Sequence, residues 1–119
     1  MITLIICTYN REKYIRPLLE SIVKNDYPAT DYEIVLVDNN CTDNTRGVCE
    51  EFSASHPEVA LRYVVESEQG LSAARNKGIK EAKGDIIIYV DDDALVDTDY
   101  IRQYAEHFTA HPETMAAGG

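Results

Sequence analysis

Runs of apolar residues alternate with amphipathic segments along the whole chain. Four short runs are rich in β-branched residues and lack regular polar positions, which is typical of strands buried on both faces of a parallel sheet. After each run, apolar residues recur at helical spacing. The predicted strands span residues 2–7, 33–38, 61–65 and 85–90, and the predicted helices span residues 15–23, 44–55, 70–83 and 100–111.

This alternation predicts an α/β fold, with a Rossmann-like, mostly parallel sheet and helices on both of its faces. The chain has 119 residues, a length that supports one hydrophobic core, so we expect residues 1–119 to form a single domain. A fifth strand is expected to begin at Met115 and to remain incomplete. The predicted sheet is therefore truncated after about four strands.

Two of the predicted helices carry further constraints. Pro17 is compatible with the first helix only within its first turn, because proline has no N–H and its ring meets the preceding turn. Gly84 stands just beyond the third helix, where a glycine often caps the end of a helix. The residues expected to face the core from the third helix are Leu71, Ala74, Ile79 and Ala82.

The chain is acidic, with a formal net charge of -10, which argues against a nucleic-acid partner because phosphate binding needs a surplus of Lys and Arg. Cys7, Cys41 and Cys49 form no Cys-x-x-Cys pair, and their odd number favours a reducing compartment. We therefore expect a cytoplasmic location, with a peripheral position at the inner face of a membrane left open. No apolar run approaches the roughly 20 residues that span a bilayer.

Polar residues gather immediately after three of the predicted strands. In parallel α/β sheets, ligands bind beyond the carboxyl ends of the strands, so these residues are expected to share one rim. Asp and Asn are also common in turns and at helix starts, and that interpretation stays open for each position alone. The three groups are Thr8, Tyr9, Asn10 and Arg11; Asp38, Asn39 and Asn40; and Asp91, Asp92 and Asp93.

The three adjacent aspartates need a compensating charge, since close carboxylates repel by about 1 kcal/mol per pair in water and by more where water is excluded. A divalent Mn or Mg ion takes one or two carboxylates and completes its shell with phosphates and water. If the strand pleat persists, Asp91 and Asp93 point to one side and Asp92 points to the other, towards a ribose hydroxyl. An acidic chain would thereby bind an anionic diphosphate.

Two further residues have a functional and a structural interpretation. The Asp38 carboxylate suits the N3–H of a uracil ring, but it can equally bond the backbone of the loop that follows it. Arg75 can donate to a phosphate or a base, or can be a solvated surface arginine. The residues themselves leave both questions open.

Four blocks of the sequence resemble those of the family two glycosyltransferases, inverting enzymes of the GT-A fold. They occur in the family's order and spacing and cover nearly the whole chain. The blocks are Ile-Cys-Thr-Tyr-Asn-Arg at 6–11, Val-Asp-Asn-Asn-Cys-Thr-Asp-Asn-Thr at 37–45, Gly-Leu-Ser-Ala-Ala-Arg-Asn-Lys-Gly at 70–78 and Asp-Asp-Asp at 91–93.

The resemblance implies a nucleotide-diphospho-sugar donor, with a UDP-sugar expected, and a carbohydrate or lipid-linked acceptor. It implies that Asp38 holds the base, that Arg75 approaches the base or phosphates, and that Asp92 contacts the ribose. Asp93 would be the protein ligand to Mn or Mg, with Asp91 as the leading acid nearby. The remaining residues expected at the nucleotide are Thr8, Tyr9, Asn10, Arg11 and Asn40.

The sequence departs from the family pattern at Cys7, where proline is frequent, and at Cys41, where serine is usual. The family's catalytic base is expected beyond Gly119, so no residue of this chain is assigned that role. The alternative function is a non-catalytic nucleotide-binding or interaction module that forms a homo-oligomer through an open sheet edge. An acidic phospho-acceptor domain would need paired acids after the first strand, and this chain has none there.

Overall fold

The structure, a computed structural model, describes residues 1–110 and 116–118. Strands and helices alternate along this part of the chain, as the hydrophobic pattern predicts. The strands are β1 (Ile2–Thr8), β2 (Tyr32–Asp38), β3 (Ala60–Val65), β4 (Ile86–Val90) and β5 (Ala116–Gly118). The helices are α1 (Glu12–Val23), α2 (Thr45–Ser55), α3 (Leu71–Glu81) and α4 (Tyr100–Ala110), and a short 3₁₀ helix (Ala29–Asp31) precedes β2.

The five strands form one parallel sheet in the order β3-β2-β1-β4-β5. Ile2 pairs with the first residue of both β2 and β4, so the carboxyl ends of the three central strands lie at one edge. The order reverses between β1 and β4, which is where ligands bind in such sheets. The Rossmann-like prediction is confirmed, and the expected fifth strand is present, although Met115 and His111 lie outside the described residues.

Helices cover both faces of the sheet. On one face Leu18 of α1, Phe52 of α2 and Ile101 of α4 belong to the same buried cluster as the even-numbered side chains of β1. On the other face Ala74 of α3 packs against Ile5 and its neighbours in β2. Each fully buried large apolar side chain contributes about 1.5–3 kcal/mol. In residues 1–110 and 116–118, no helix has both the length and the apolar character required to cross a membrane.

The first helix begins earlier than its periodicity predicts. It starts at Glu12, so Pro17 lies in its second turn, and the prediction that this proline occupies the first turn is wrong. Pro17 is exposed, and solvent can therefore reach the Lys13 carbonyl that loses its helical partner. The helical spacing predicts a stripe of Leu18, Leu19, Ile22 and Val23; the first three are buried and Val23 is partly buried.

The inward face of α3 differs from the prediction. Leu71 and Ile79 are 57% and 44% exposed, so their assignment to the core is wrong. Ala74 is buried as predicted, and the other buried residue of the helix is Gly78. A Cβ at Gly78 would lie 2.6 Å from the Ile5 side chain, so only small residues allow the helix to approach the sheet this closely.

The prediction that Gly84 caps α3 is wrong. Ala82, with an extended backbone, ends the helix. Gly84 is needed because the chain passes β1 closely: an added Cβ would lie 2.7 Å from the Met1 carbonyl oxygen. Its N–H donates to the Thr3 hydroxyl over 2.9 Å.

A buried carboxylate joins the amino ends of the strands, on the opposite edge from the polar rim. The Glu33 side chain is 4% exposed, and it accepts hydrogen bonds from the Thr3 hydroxyl, the Lys83 N–H and the Arg62 guanidinium, each over 2.7 Å. Burial by itself raises the pKa of Glu33, but the hydrogen bonds from Lys83, Arg62 and Thr3 outweigh it and lower the pKa. Glu33 is therefore ionised and fixes this edge of the sheet.

Replacing Glu33 by glutamine is expected to lower the free energy of unfolding by about 3 kcal/mol at pH 7, because Arg62 loses its buried partner. Glu51→Gln is the matched control, since Glu51 also lies 2.7 Å from an arginine but its side chain is 71% exposed. The control should lose less than about 1 kcal/mol. Urea denaturation measures both, and equal losses would contradict the role assigned to Glu33.

The same carboxylate makes stability depend on pH. Its folded pKa lies below the ordinary value of 4.5, so its contribution is complete above that value and is lost as the pH falls through the folded pKa. The difference in unfolding free energy between the unsubstituted chain and Glu33→Gln should therefore narrow below pH 4.5. A difference that stays constant down to the acid limit of folding would show that the charge is not responsible.

Candidate functional site

A cleft of about 430 Å³ opens at the carboxyl ends of β1 and β4, where the strand order reverses. It brings together most of the residues that the sequence singles out. The predicted site residues that line it are Thr8, Tyr9, Arg11, Arg75, Asp91 and Asp92. Those that do not line it are Asn10, Asp38, Asn40 and Asp93.

The acidic triplet forms a turn rather than continuing the strand. β4 ends at Val90, and the Ala94 N–H donates to the Asp91 carbonyl over 3.1 Å. The pleat therefore stops, and Asp91 and Asp92 both line the cleft instead of pointing to opposite sides. Asp93 does not line the cleft but forms an ion pair over 3.7 Å with Arg11, which does.

Asp92 lies beside a buried hydroxyl. Burial raises the pKa of Asp92 and Asp93 adds to the rise, while the Thr8 hydroxyl and Arg11 oppose it. Thr8 Oγ1 is buried and close to Asp92, yet it makes no hydrogen bond of acceptable geometry with the described residues. A buried hydroxyl without a partner is available to a ligand in the cleft.

The acids do not form a complete metal site by themselves. Within residues 1–110 and 116–118, no three His, Cys, Asp or Glu side chains are placed to hold a metal ion together. Carboxylate oxygens are nevertheless the donors that Mg and Mn prefer, and such ions keep open positions for phosphate and water. Of the two predicted metal ligands, Asp91 lines the cleft, where its carboxylate fits a cation that arrives with a diphosphate, and Asp93 does not.

Two arginines bring positive charge to the cleft. Arg11 forms an ion pair with Asp93, whereas Arg75 has no carboxylate partner in the described part of the chain. The Arg75 guanidinium lies over the ring of Tyr89, 4.9 Å from its centre. Burial raises the pKa of the Cys7 thiol on the cleft floor to about 11, and the Arg75 charge acts against that rise.

Asp38 uses both carboxylate oxygens within the protein. It is 8% exposed, and Oδ1 accepts from the Cys41 N–H over 2.6 Å while Oδ2 accepts from the Tyr63 hydroxyl. Burial and the bond to Asp38 raise the pKa of Tyr63, and Arg46 covers its ring at 4.5 Å. Asp38 therefore bonds the backbone of the loop that follows it, which is the structural interpretation of this residue. A contact of Asp38 with the base stays a prediction.

Asn10 and Asn40 shape the loops around the cleft. Both have left-handed backbones, with φ of 54° and 70°, which asparagine tolerates better than most residues. Asn10 Oδ1 accepts from the Thr42 N–H over 2.7 Å, and Asn40 Nδ2 donates to the Ser67 carbonyl over 2.9 Å. Their contribution to ligand binding stays a prediction.

Asn39 has a larger part in the cleft than its sequence context suggested. It is 5% exposed, and its Nδ2 donates to the Glu66 and Glu68 carbonyls over 2.9 and 2.8 Å. Its Oδ1 accepts from the Gly70 N–H over 2.9 Å. Gly70 has a φ of 131°, which favours glycine, so this side chain fixes the turn that starts α3.

Sequence reasoning also missed several residues of the cleft wall. Gly70 carried a usable signal, because a glycine directly before a helix of small residues marks a close approach of backbone or ligand. Tyr89 carried little signal of a site, since an aromatic residue in a buried strand normally belongs to the hydrophobic core. The cleft residues that the sequence did not assign to the site are Ile5, Cys7, Gln69, Gly70, Leu71, Ala74, Tyr89 and Val90.

Comparisons with known proteins find a matching family model and related glycosyltransferases. The model of the family described as glycosyl transferase family 2 matches residues 3–119. Glycosyltransferase GlyA of Streptococcus pneumoniae serotype 4 is 33% identical over 117 residues, which cover 98% of this chain and 16% of GlyA.

Two solved structures share the fold. The crystal structure of Staphylococcus aureus TarS 1-349 in complex with UDP-GlcNAc has a TM-score of 0.83 and 31% identity, covering 93% of this chain and 32% of that one. Mannosyltransferase PcManGT from Pyrobaculum calidifontis, in complex with GDP-Man and Mn²⁺, has a TM-score of 0.85 and 33% identity, covering 90% of this chain and 32% of that one.

This chain thus spans between 16% and 32% of the length of these three proteins. Its sheet order and its cleft at the carboxyl ends of the strands agree with the GT-A type of Rossmann-like fold that the sequence predicts. The family model covers nearly the whole sequence, and the chain belongs to glycosyl transferase family 2.

Proposed function

We propose that this chain binds the nucleotide part of a UDP-sugar together with Mn²⁺ or Mg²⁺. Within a complete enzyme, the sugar is then transferred, with inversion, to a hydroxyl of a carbohydrate or lipid-linked acceptor. The catalytic base for that step is not assigned to any residue of this chain. TarS with UDP-GlcNAc and PcManGT with GDP-Man and Mn²⁺ support the choice of ligand class.

One observation carries the proposal: two carboxylates line the same cleft as an arginine and a buried hydroxyl. Within residues 1–110 and 116–118, this arginine has no carboxylate partner and this hydroxyl has no hydrogen bond of acceptable geometry. The residues are Asp91 and Asp92, Arg75, and Thr8. Arginine recognises phosphate oxygens through several N–H donors at once, and carboxylates bind hard cations. A nucleoside diphosphate with its cation satisfies all of these groups together.

The residues divide the ligand between them. Arg75 donates to the diphosphate, and the Thr8 hydroxyl, which needs a partner, bonds a polar group of the nucleoside. Tyr9, whose side chain is half-exposed at the rim, offers a ring face to the base. Asp92 accepts from the ribose, which leaves Asp91 and Asp93 for the cation.

A bound divalent ion would offset negative charge on the departing diphosphate. Asp93 reaches such an ion only if its 3.7 Å contact with Arg11 opens, and Arg11 then becomes free for phosphate. The pair thus keeps Arg11, which lines the cleft, and Asp93 engaged with each other until an anion arrives. This keeps the acidic triplet partly neutralised in the free chain.

The first prediction concerns the cation. UDP should bind with Mn²⁺ and lose affinity by about tenfold or more when Mn²⁺ is removed by a chelator, because phosphate and carboxylate charges then repel. Asp91→Asn and Asp93→Asn should each weaken the Mn²⁺-dependent binding. Isothermal titration calorimetry of UDP into the chain measures these affinities.

Asp85→Asn is the matched control for this series. Asp85 precedes β4 at the opposite edge of the sheet, and its side chain is 95% exposed. Its substitution changes the net charge equally but should leave UDP binding unchanged. UDP affinity that is the same with and without Mn²⁺ would exclude the proposed cation.

The second prediction concerns the base. Asp38→Asn should reduce the preference for UDP over CDP by about tenfold, because a charged acceptor for the uracil N3–H is lost. Tyr63→Phe is the matched variant: it removes the hydrogen bond from Tyr63 to Asp38 but keeps the carboxylate. It should preserve the preference. Competition binding of UDP and CDP measures both variants.

If both variants leave the ratio of UDP to CDP affinity unchanged, Asp38 only holds its loop. If both reduce the ratio equally, the hydrogen bond between the side chains matters and a direct contact with the base is excluded. Only a reduction in Asp38→Asn alone supports base recognition by Asp38.

A further inference from the structure

Tyr89 lines the cleft and has no role in the proposed function. It belongs to β4 and packs against the cluster formed by Ile5, Val35, Val37 and Ala74. Its hydroxyl makes no hydrogen bond with the described residues. The Arg75 guanidinium lies over the Tyr89 ring, 4.9 Å from the ring centre.

A contact with an aromatic ring can hold an arginine side chain in place without neutralising its charge, which an ion pair does not do. A carboxylate partner would occupy the N–H edge of the guanidinium and neutralise its charge, as Asp93 does in part for Arg11. An aromatic ring attracts the guanidinium but brings no carboxylate to its N–H donors, which stay available to a ligand. Arg75 is thus oriented while its donors stay free of carboxylate in the described part of the chain.

We propose that Tyr89 is a positioning residue that holds Arg75 towards the diphosphate of the donor. This rests on the proposed function, because it takes a nucleoside diphosphate as the ligand. An arginine side chain has many rotamers, and holding it in place before the ligand arrives reduces the entropy lost on binding. The Tyr89 ring is a fixed support for Arg75, because Tyr89 belongs to β4, which lies between β1 and β5 in the sheet.

The ligand pair UDP and uridine separates this role from general damage to the cleft. Tyr89→Leu should weaken UDP binding about three- to tenfold, since a cation over an aromatic ring contributes modestly at a partly exposed site. Uridine lacks the diphosphate, so its affinity should change little. Tyr89→Phe keeps the ring face and should retain the UDP affinity of the unsubstituted chain.

A double-substitution cycle adds the link to Arg75. Arg75→Gln should weaken UDP binding and leave uridine binding nearly unchanged, and adding Tyr89→Leu to it should cause little further loss. Additive losses, or equal losses of UDP and uridine affinity in Tyr89→Leu, would overturn the positioning role while leaving the proposed function intact. Absence of UDP binding by the unsubstituted chain in the presence of Mn²⁺ would overturn both.

A measurement without substitutions guards against a variant that fails to fold. The Nε–Hε resonance of Arg75 in the unsubstituted chain should move on addition of UDP with Mg²⁺ and stay in place on addition of uridine. A resonance that UDP leaves unmoved, in a chain that binds UDP, would equally overturn the inference.

Discussion

Parallel pairing of β1 with both β2 and β4 is the constraint on which the rest of the structure depends. The register matches Thr8 with Asp38 and Ile6 with Val90, so the three strands end at the same edge. The chain leaves each strand at that edge, and the polar segments that follow have to share it. Because the order reverses between β1 and β4, the loops diverge there and leave a cleft.

Electrostatics then distinguishes the two edges of the sheet. At the amino ends, Glu33 is buried with enough donors to be satisfied within the protein. At the carboxyl ends, the acidic triplet is only partly compensated by Arg11, and Thr8 and Arg75 keep unused hydrogen-bonding capacity towards the described residues. Polar groups whose hydrogen bonds are complete within the protein stabilise the fold, whereas polar groups with unused hydrogen-bonding capacity can bind a ligand.

Much of the fold could be predicted because β-branched apolar runs and their spacing reflect burial directly. The site could be located because strand ends in a parallel sheet fall together. The details that failed depend on distances between backbones: α3 approaches β1 through Gly78, which turns Leu71 and Ile79 outward. Helical periodicity does not contain that information.

The acids show a second kind of limit. Which way Asp91, Asp92 and Asp93 point depends on where β4 stops, and the turn closed by Ala94 decides it. One of the two partners of Asp38, Tyr63, likewise lies 25 residues away in the chain. Local spacing could name these residues as candidates, but only the tertiary structure assigns each of them its neighbours.

The most direct test of the account is where Mn²⁺ lies when UDP is present. With UDP, Mn²⁺ should broaden the backbone amide NMR signals of residues 8–11, 70–75 and 91–93, and it should leave residues 32–34 and 83–86 at the opposite edge sharp. Without UDP the broadening should be much weaker, since the described acids lack a three-ligand metal cluster. Broadening centred on the opposite edge, or identical with and without UDP, would contradict the account.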